Sequence, residues 1–565
     1  MSVVNCQLWI NDSDVSAQYP LYGFTTQSEI NRIPFAQIDI LSTPAADGTA
    51  QLLPGFTTGS TVEIRIGYDD NIAPVFKGKL EDIRLMASEQ HVIRLLCKSA
   101  FNILAKTSLN KIFHDNKDSD IISEVCNLEG LNTFIESTTV THKQVVSSNL
   151  SEWDFMISRA ELNGLVAFAD GDTLKVQKPL VDAAPEKTYT YQDNVLRMTV
   201  NRNVQTQFKT VAYASWDAAS QARTTVTSNA PAQANVRTLL GQESNNAPEK
   251  KITLNNAVPQ DALQVFADAR HLKNRLAMIQ GSVSVLGETG VLPGQFVNIA
   301  GLGNPIDGAV VIRAVAHEYD DGNWITTYLL GLEDEWFAEK VQQNQPGTHT
   351  GYLNQVLGLV IGVVTDNEDP DGAFRVRVRL PMIETATDGV WARITHMDAG
   401  DNRGSVFFPE IGDEVLVGFI QNDTNNPVIM GMLHSAAKAS PIPGSNDNHI
   451  KGLQTRSGIK LLFDDDKKVA RLETPGGNIL LLDEDDTGDV KLEDKNGNSI
   501  TLNNSGIAIK DMYGNEINMT SSGIELKATN ITLNASAGLS MSGSGSAKLE
   551  ASGTLTLKGA MVMIN

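Results

Sequence analysis

Basic charge is scarce in this chain. Its 565 residues carry 45 Lys and Arg against 67 Asp and Glu, a formal net charge of -22. A surface that must neutralise phosphates needs the opposite balance, so nucleic acid is excluded as the main partner and adsorption to anionic membranes is disfavoured. Cysteine is nearly missing as well. Cys6, Cys97 and Cys126 lie far apart with no C-x-x-C spacing, which leaves neither a disulfide framework nor a zinc site, and suits synthesis and assembly in a reducing cytoplasm. The longest apolar run, "VLGLVIGVV", falls well short of the roughly 20 residues a membrane-spanning helix needs. The opening "MSVVNCQLWINDSDV" has no basic segment followed by an apolar core, so no secretory signal is expected. The nine histidines form no H-x-H or H-E-x-x-H pair. No cofactor, metal or catalytic residue is predicted.

Short catalytic patterns are equally thin. "SLNK" from Ser108 and "SAAK" from Ser435 satisfy S-x-x-K without its companion motifs, and "GLGNPIDG" lacks the spacing and context of a dinucleotide loop. Asp321-Gly322 in "HEYDDGNW" reads as a hairpin turn, and "FDDDKK" as a solvated turn.

Strands, by contrast, are abundant. "DEVLVGFI" and "PVIMGML" are apolar, β-branched runs separated by the turn formers "QNDTNNP", with Pro427 opening the second run where a missing N–H is tolerated. "FRVRVRLP" alternates Arg375, Arg377 and Arg379 with Val376, Val378 and Leu380, the pattern of a half-exposed sheet. With "LGLVIGVVTD" and "GVWARI", the segment supplies about five strands, enough to close a small OB-type barrel.

Two Gly-, Pro-, Ser- and Asn-rich linkers, Gln342 to Gln355 and Ser435 to Asn448, divide the chain. The first part is mixed. "STVEIRIGYDD" and "GQFVNIAGLG" read as strands. "NLSEWDFMISRAELNG" reads as a helix capped by Asn149 with Glu152 and stopped at Gly164, and "DALQVFADARHLKNRLAMIQG" as a helix whose Ala262, Val265, Phe266, Ala269, Leu272, Leu276 and Ile279 share a face, ended by Gly281. Gly59, Val62, Ile64 and Gly67 are echoed by Gly294, Val297, Ile299 and Gly301, which predicts two similar barrels in this part.

After the second linker the chain repeats units of about eight residues: "GNSITLNNS", "GIAIKDMY", "GNEINMTSS", "GIELKAT", "NITLNAS", and on to the final "MVMIN". Each has a turn residue and then alternating apolar positions, such as Ile524 and Leu526, Ile531 and Leu533, Leu555 and Leu557. At roughly 3.3 Å per residue such a unit cannot close a solenoid coil by itself and offers one narrow apolar face. Several copies, most simply a homotrimer, are expected to bury these six residues as the core of a shaft.

The order of parts resembles the VgrG-type spike proteins of contractile injection systems, which are similar to the fused hub and cell-puncturing proteins of phage tails. The residues carrying the resemblance are Phe408-Pro409, Gly412 to Phe419, Asn426 to Ile429 and Gly431, preceded by Val376 to Pro381 and Trp391-Ala392-Arg393. Ile33-Pro34, Gly67, Phe76-Lys77-Gly78, His317 with Trp324, and "TRSGIKLLFDDD" from Thr455 add to it. The resemblance implies a mainly β fold with some α: a phage tail hub-like domain over 1–345 with two barrel subdomains and a helical insert, an OB-fold collar over 353–437, and an intertwined trimeric β-helix needle over 450–565. It implies a non-enzymatic, membrane-puncturing spike that docks on an inner tube protein and on baseplate proteins, and is delivered outside the cell or into the target on contraction. It also implies a PAAR-type tip protein or effectors at the needle end, where Met561, Val562, Met563, Ile564 and Asn565 would form an apolar platform. The alternatives are the hub-spike of a contractile phage tail and, from another class, a glycan-binding or glycan-cleaving tail fibre. The latter requires paired carboxylates in a groove; Asp483, Glu484, Asp485 and Asp486 crowd the early repeats, while Glu525 and Glu550 stand isolated in the late ones.

Overall fold

The computed structural model describes all residues except 1–2, 43–55, 88–90, 182, 218–219, 232–246, 255–257, 304–305, 342–357, 384–387, 485–487 and 565. The linker expected over Gln342 to Gln355 therefore lies outside the described residues. The chain divides into two units, Met1–Leu433 and His434–Asn565. The break falls where the composition turns to Ser, Pro and Gly, and 435–448 carries no helix or strand.

The first unit is built around a 13-stranded sheet in which the echo between Gly59 and Gly294 takes physical form. Both glycines hold a left-handed φ, +90° and +86°, just before a strand, a conformation that costs other residues a Cβ clash. The Gly59 amide donates to the Leu80 carbonyl and the Leu80 amide to the Ser60 carbonyl, at 2.7 and 2.9 Å. Gly294, Ile312 and Gln295 repeat that pair of bonds, both at 2.8 Å. Val62 and Ile64 then face Gly78 and Phe76, as Val297 and Ile299 face Val310 and Gly308.

Each long return strand, Asn71–Ala87 or Gly308–Asp320, bulges at the equivalent point, Glu81 in one and Arg313 in the other, and goes on to pair with a following strand, His91–Lys98 or Asn323–Leu330. The two halves join in a continuous sheet because Ala314 to Asp320 also pairs with Glu29 to Gly23. Separate buried clusters fill them: Leu8, Ile38, Ile64 and Leu95 in one, Val283, Val297, Ile312 and Tyr328 in the other.

Two helices deviate from the expected ends. The first runs Glu152–Leu162 and is capped by Ser151, whose Oγ accepts from the Asp154 amide at 3.0 Å. Asn149 is instead in the preceding strand, at a register irregularity, with φ +54° and its amide donating to Asn110 Oδ1. The second helix runs Gln260–Leu276, so Ile279 and Gly281 belong to the next strand, Ile279–Leu286. Gly281 is there because a Cβ would stand 2.0 Å from the Thr199 carbonyl oxygen. Packed against the first helix is a buried polar group: Asp118 accepts from Arg159 Nε at 2.6 Å and from Asn163 Nδ2 at 2.8 Å, with His142 Nε2 at 2.9 Å.

The OB-type barrel closes as expected from five strands: Val360–Asp366, Val376–Arg379, Val390–Ile394, Glu414–Phe419 and Pro427–Met432. Val376, Val378 and Leu380 are buried while the arginines between them are half-exposed. Arg375 clasps Asp369 through two hydrogen bonds of 2.9 and 2.7 Å, which hold the Asp369 carboxyl well below its ordinary range. The turn "QNDTNNP" is not the wet loop its composition suggests. Asp423 and Thr424 are buried, Asn425 Oδ1 accepts from the Val146 amide at 3.0 Å, and Ile112 and Val146 complete the barrel core.

The second unit is a nine-stranded antiparallel meander from Ile450–Gln454 to Gly523–Lys527, in strands of four or five residues. Residues 528–564 carry no strand, so the repeats after "GIELKAT" lack the sheet their pattern predicts. A strand needs a neighbour for its amides and carbonyls, and within one chain these last repeats have none.

Candidate functional site

The repeats place two apolar columns on one face of the meander. The pairing register stacks Leu453, Leu461, Leu472, Leu480, Leu492, Ile500, Ile509, Ile517 and Leu526 as successive cross-strand partners. Two residues along each strand, on the same face, runs the second column: Phe463, Ala470, Leu482, Val490, Leu502, Ile507, Met519 and Ile524. Most of these side chains are exposed, Leu526 by 51% and Ile524 by 70%. Each Leu or Ile left in water forgoes about 1.5–3 kcal/mol of burial, and a continuous stripe of this length far exceeds what a solitary soluble surface presents. Ile524 and Leu526 thus form the last rungs of the two columns. Ile531, Leu533, Leu555 and Leu557 lie beyond the last strand and are exposed, as are Met561, Val562, Met563 and Ile564; Asn565 is outside the described residues.

A ladder of turns keeps the columns in register. Gly477, Gly497 and Gly514 supply left-handed φ values, and the asparagine after each reaches the next turn on that edge. Asn478, Asn498 and Asn515 accept through Oδ1 from the amides of Lys495, Met512 and Thr529 at 3.0, 3.0 and 3.3 Å. Asp494 ties its own turn. Its side-chain bond from Asn498, with the amides of Asn498 and Asn496, holds its carboxyl down at about 2. The "G-N" dipeptides signalled turns in the sequence; that their side chains bridge rungs was not legible there.

The first unit offers a second open surface. Gly308–Asp320 is paired on both edges, whereas the equivalent edge of Asn71–Ala87 beyond its bulge meets no strand among the described residues. Arg197–Arg202, the counterpart of Leu21–Glu29, pairs with Ile279–Leu286 and is open on its other side. Each half of the sheet therefore has one unpaired edge matching the joint within the chain.

The Alg8 N-terminal domain family matches residues 1–321, more than half of the chain. The fold is similar to that of a chain in the lidded Francisella PdpA-VgrG complex: TM-score 0.53 at 10% identity, covering 90% of this chain and 80% of that one. The chain belongs to the Alg8 N-terminal domain family. The type VI secretion system and phage-baseplate injector OB domain matches residues 360–434, the five-stranded barrel.

Two curated relatives are similar over short segments. The type VI secretion system spike protein VgrG1a of Pseudomonas aeruginosa is 34% identical over 67 residues, 12% of this chain and 10% of that protein. VgrG3 of Vibrio cholerae is 26% identical over 109 residues, 18% of this chain and 11% of that protein. The chain thus matches about a tenth of the length of these relatives. Among the described residues no helix is long and apolar enough to cross a membrane, and no cluster of three His, Cys, Asp or Glu is placed to hold a metal.

Proposed function

We propose that this chain is the structural, membrane-puncturing spike of a contractile injection system, working as a homotrimer and without enzymatic activity. The observation that carries the reading is the pair of apolar columns. Three meanders wound about a common axis bury all three stripes against one another, and the strandless repeats after Lys527 gain the neighbouring strands that one chain lacks. The needle over 450–565 is then stiff because its core is continuous, and force comes from contraction of the surrounding machine. The collar over 353–437 supports it, and the hub over 1–345 docks on the inner tube and baseplate proteins. Met561 to Asn565 form the seat for a PAAR-type tip protein or an effector. Assembly takes place in the cytoplasm, and contraction delivers the particle outside the cell or into the target membrane. The phage hub-spike and the glycan-directed tail fibre are less favoured, because the similar curated proteins are secretion-system spikes.

The hub supports the same stoichiometry. Register across the two halves aligns Leu80 with Ile312, hence Leu85 with His317, and Thr26 with Val200. His317 faces Thr26 within the chain, so Leu85 of one copy faces Val200 of the next, closing a ring of six half-sheets from three chains.

Light scattering on the full chain tests the assembly. The expected particle contains three chains and is weakened by truncation after Ser435. A stable full-length monomer would remove both shaft and puncturing. In the cysteine pair variant Leu85→Cys with Val200→Cys, oxidation is expected to give chains cross-linked into a covalent trimer on a non-reducing gel.

A further inference from the structure

Within the first unit lies a cavity of about 720 Å³ that the spike reading does not use. It opens where the Leu21–Glu29 and Gly308–Asp320 joint meets the helices Glu152–Leu162 and Gln260–Leu276. Its walls are mostly apolar, with Ile30, Leu165, Leu272, Leu276, Leu332 and Phe337 among them, and its size falls in the range of small-molecule sites. The charge of the lining balances as a whole.

At one wall stands Arg313, turned there by the β-bulge that marks its half of the sheet. Glu29 is shared between Arg32 at 3.3 Å and Arg313 at 3.7 Å, and Glu333 between Arg313 at 2.9 Å and Lys340. Arg32, Arg313 and Lys340 thus share Glu29 and Glu333, with Glu335 and Asp334 beside the same wall. The Arg313 Nε is buried with no hydrogen-bond partner among the described residues. Lys340 is held below its ordinary range by burial and then by the neighbouring cations Lys273 and Arg32. A second, polar cavity of about 550 Å³ shares Arg313, Glu333, Glu335 and Lys340 with the first, so this charged wall divides an apolar chamber from a wet one.

We propose that this cavity binds a small monocarboxylate with an unbranched apolar chain, the chain lying against Leu272, Leu276 and Leu332 and the carboxylate completing the shells of Arg313 and Lys340. An anion is favoured over a cation because it fills the missing acceptor at Arg313 Nε and relieves the crowding of cations around Lys340. The inference is independent of the spike reading, since it concerns the hub of a single chain.

Titration calorimetry of the full-length protein with dodecanoate, below its micelle concentration, tests it. One saturable site per chain is expected, with dodecylammonium at least tenfold weaker. Leu276→Trp, which fills the chamber, is expected to abolish binding with the circular dichroism spectrum unchanged. Lys340→Glu reverses the charge at the partly exposed wall without entering the core, and is expected to weaken binding at least tenfold; it decides the matter should Leu276→Trp fail to fold. Absence of saturable dodecanoate binding, equal binding of dodecylammonium, or full binding by Lys340→Glu would each overturn the proposal. So would binding that survives in a folded Leu276→Trp variant, which would place the chain on the apolar columns of the repeats.

Discussion

The two units spend their apolar residues in opposite ways. In Met1–Leu433, Ile38, Ile64, Phe155, Phe266 and Val417 are sealed inside the chain, and even the polar residues Asp118 and Arg159 are buried and paired. In His434–Asn565 no apolar side chain of the described residues is buried; each strand after the first sets apolar residues at alternate positions, yet the face they create is open. Helices and bulged strands let the first unit curl its sheets around cores, whereas strands of four or five residues in a simple meander form one layer, and one layer has no inside. The first unit is therefore expected to fold as a monomer and the second only as it assembles.

The largest expected effect attacks the second half of that comparison. Ile509→Asp sets three carboxylates at one level of the proposed axis. Light scattering on dilution should show the three-chain particle dissociate at higher concentration than the parent, while the hub keeps its melting transition. Resistance to dissociation equal to the parent's would mean that the column does not face other copies.

Next in size is a lesion confined to the first unit. Burial alone would push the Asp118 carboxyl up, but Arg159, then His142 and Asn163, hold it down at about 2. Arg159→Met leaves that carboxylate buried and underpaired, a loss of about 3–5 kcal/mol, read as a shift in the urea midpoint of the hub transition.

A smaller effect depends on pH. Burial lowers His317 to about 4, and it stays neutral beside Trp324 with its Nδ1 within 3.0 Å of Thr326 Oγ1. The unfolded chain binds this proton near the ordinary value of about 6.5 and the folded one only near 4. Between those values the unfolded state holds more protons, so stability falls as pH drops through that window and is level above it. The total is on the order of a few kcal/mol. His317→Asn should flatten that part of the pH profile of urea unfolding; an unchanged slope would assign it to other groups.

The smallest expected change is in the turn ladder. Asn498→Ala removes the acceptor for the Met512 amide and the side-chain donor to Asp494 at an exposed edge, where water replaces both, at about 1 kcal/mol. It is expected to lower the thermal midpoint of the assembled needle slightly without changing its mass.

What could be read in advance, and what could not, divides along the same physical line. The barrel strands, the strand pair echoing Gly59 in Gly294, the Asp321-Gly322 turn and the break after Leu433 were legible, because alternation, turn chemistry and composition act over a few neighbouring residues. The helix cap was misplaced from Ser151 to Asn149, since a bulge in the preceding strand moved the start by two residues. Gly281 seemed a helix stop, and is instead a point where two backbones touch. The loop at Asn425 looked solvated, and is buried because a strand nearly 280 residues earlier supplies its partners.

By itself the sequence determined which segments are strands, where the repeats begin, and that their apolar residues share one face: such properties follow from covalent geometry and side-chain type. Only the tertiary structure decided that the echo becomes one continuous sheet with two open edges, that the repeats stack into two unbroken columns, and that Arg313 stands at the wall of a cavity. Those depend on which distant residues meet, and a chain's local chemistry does not specify its far neighbours.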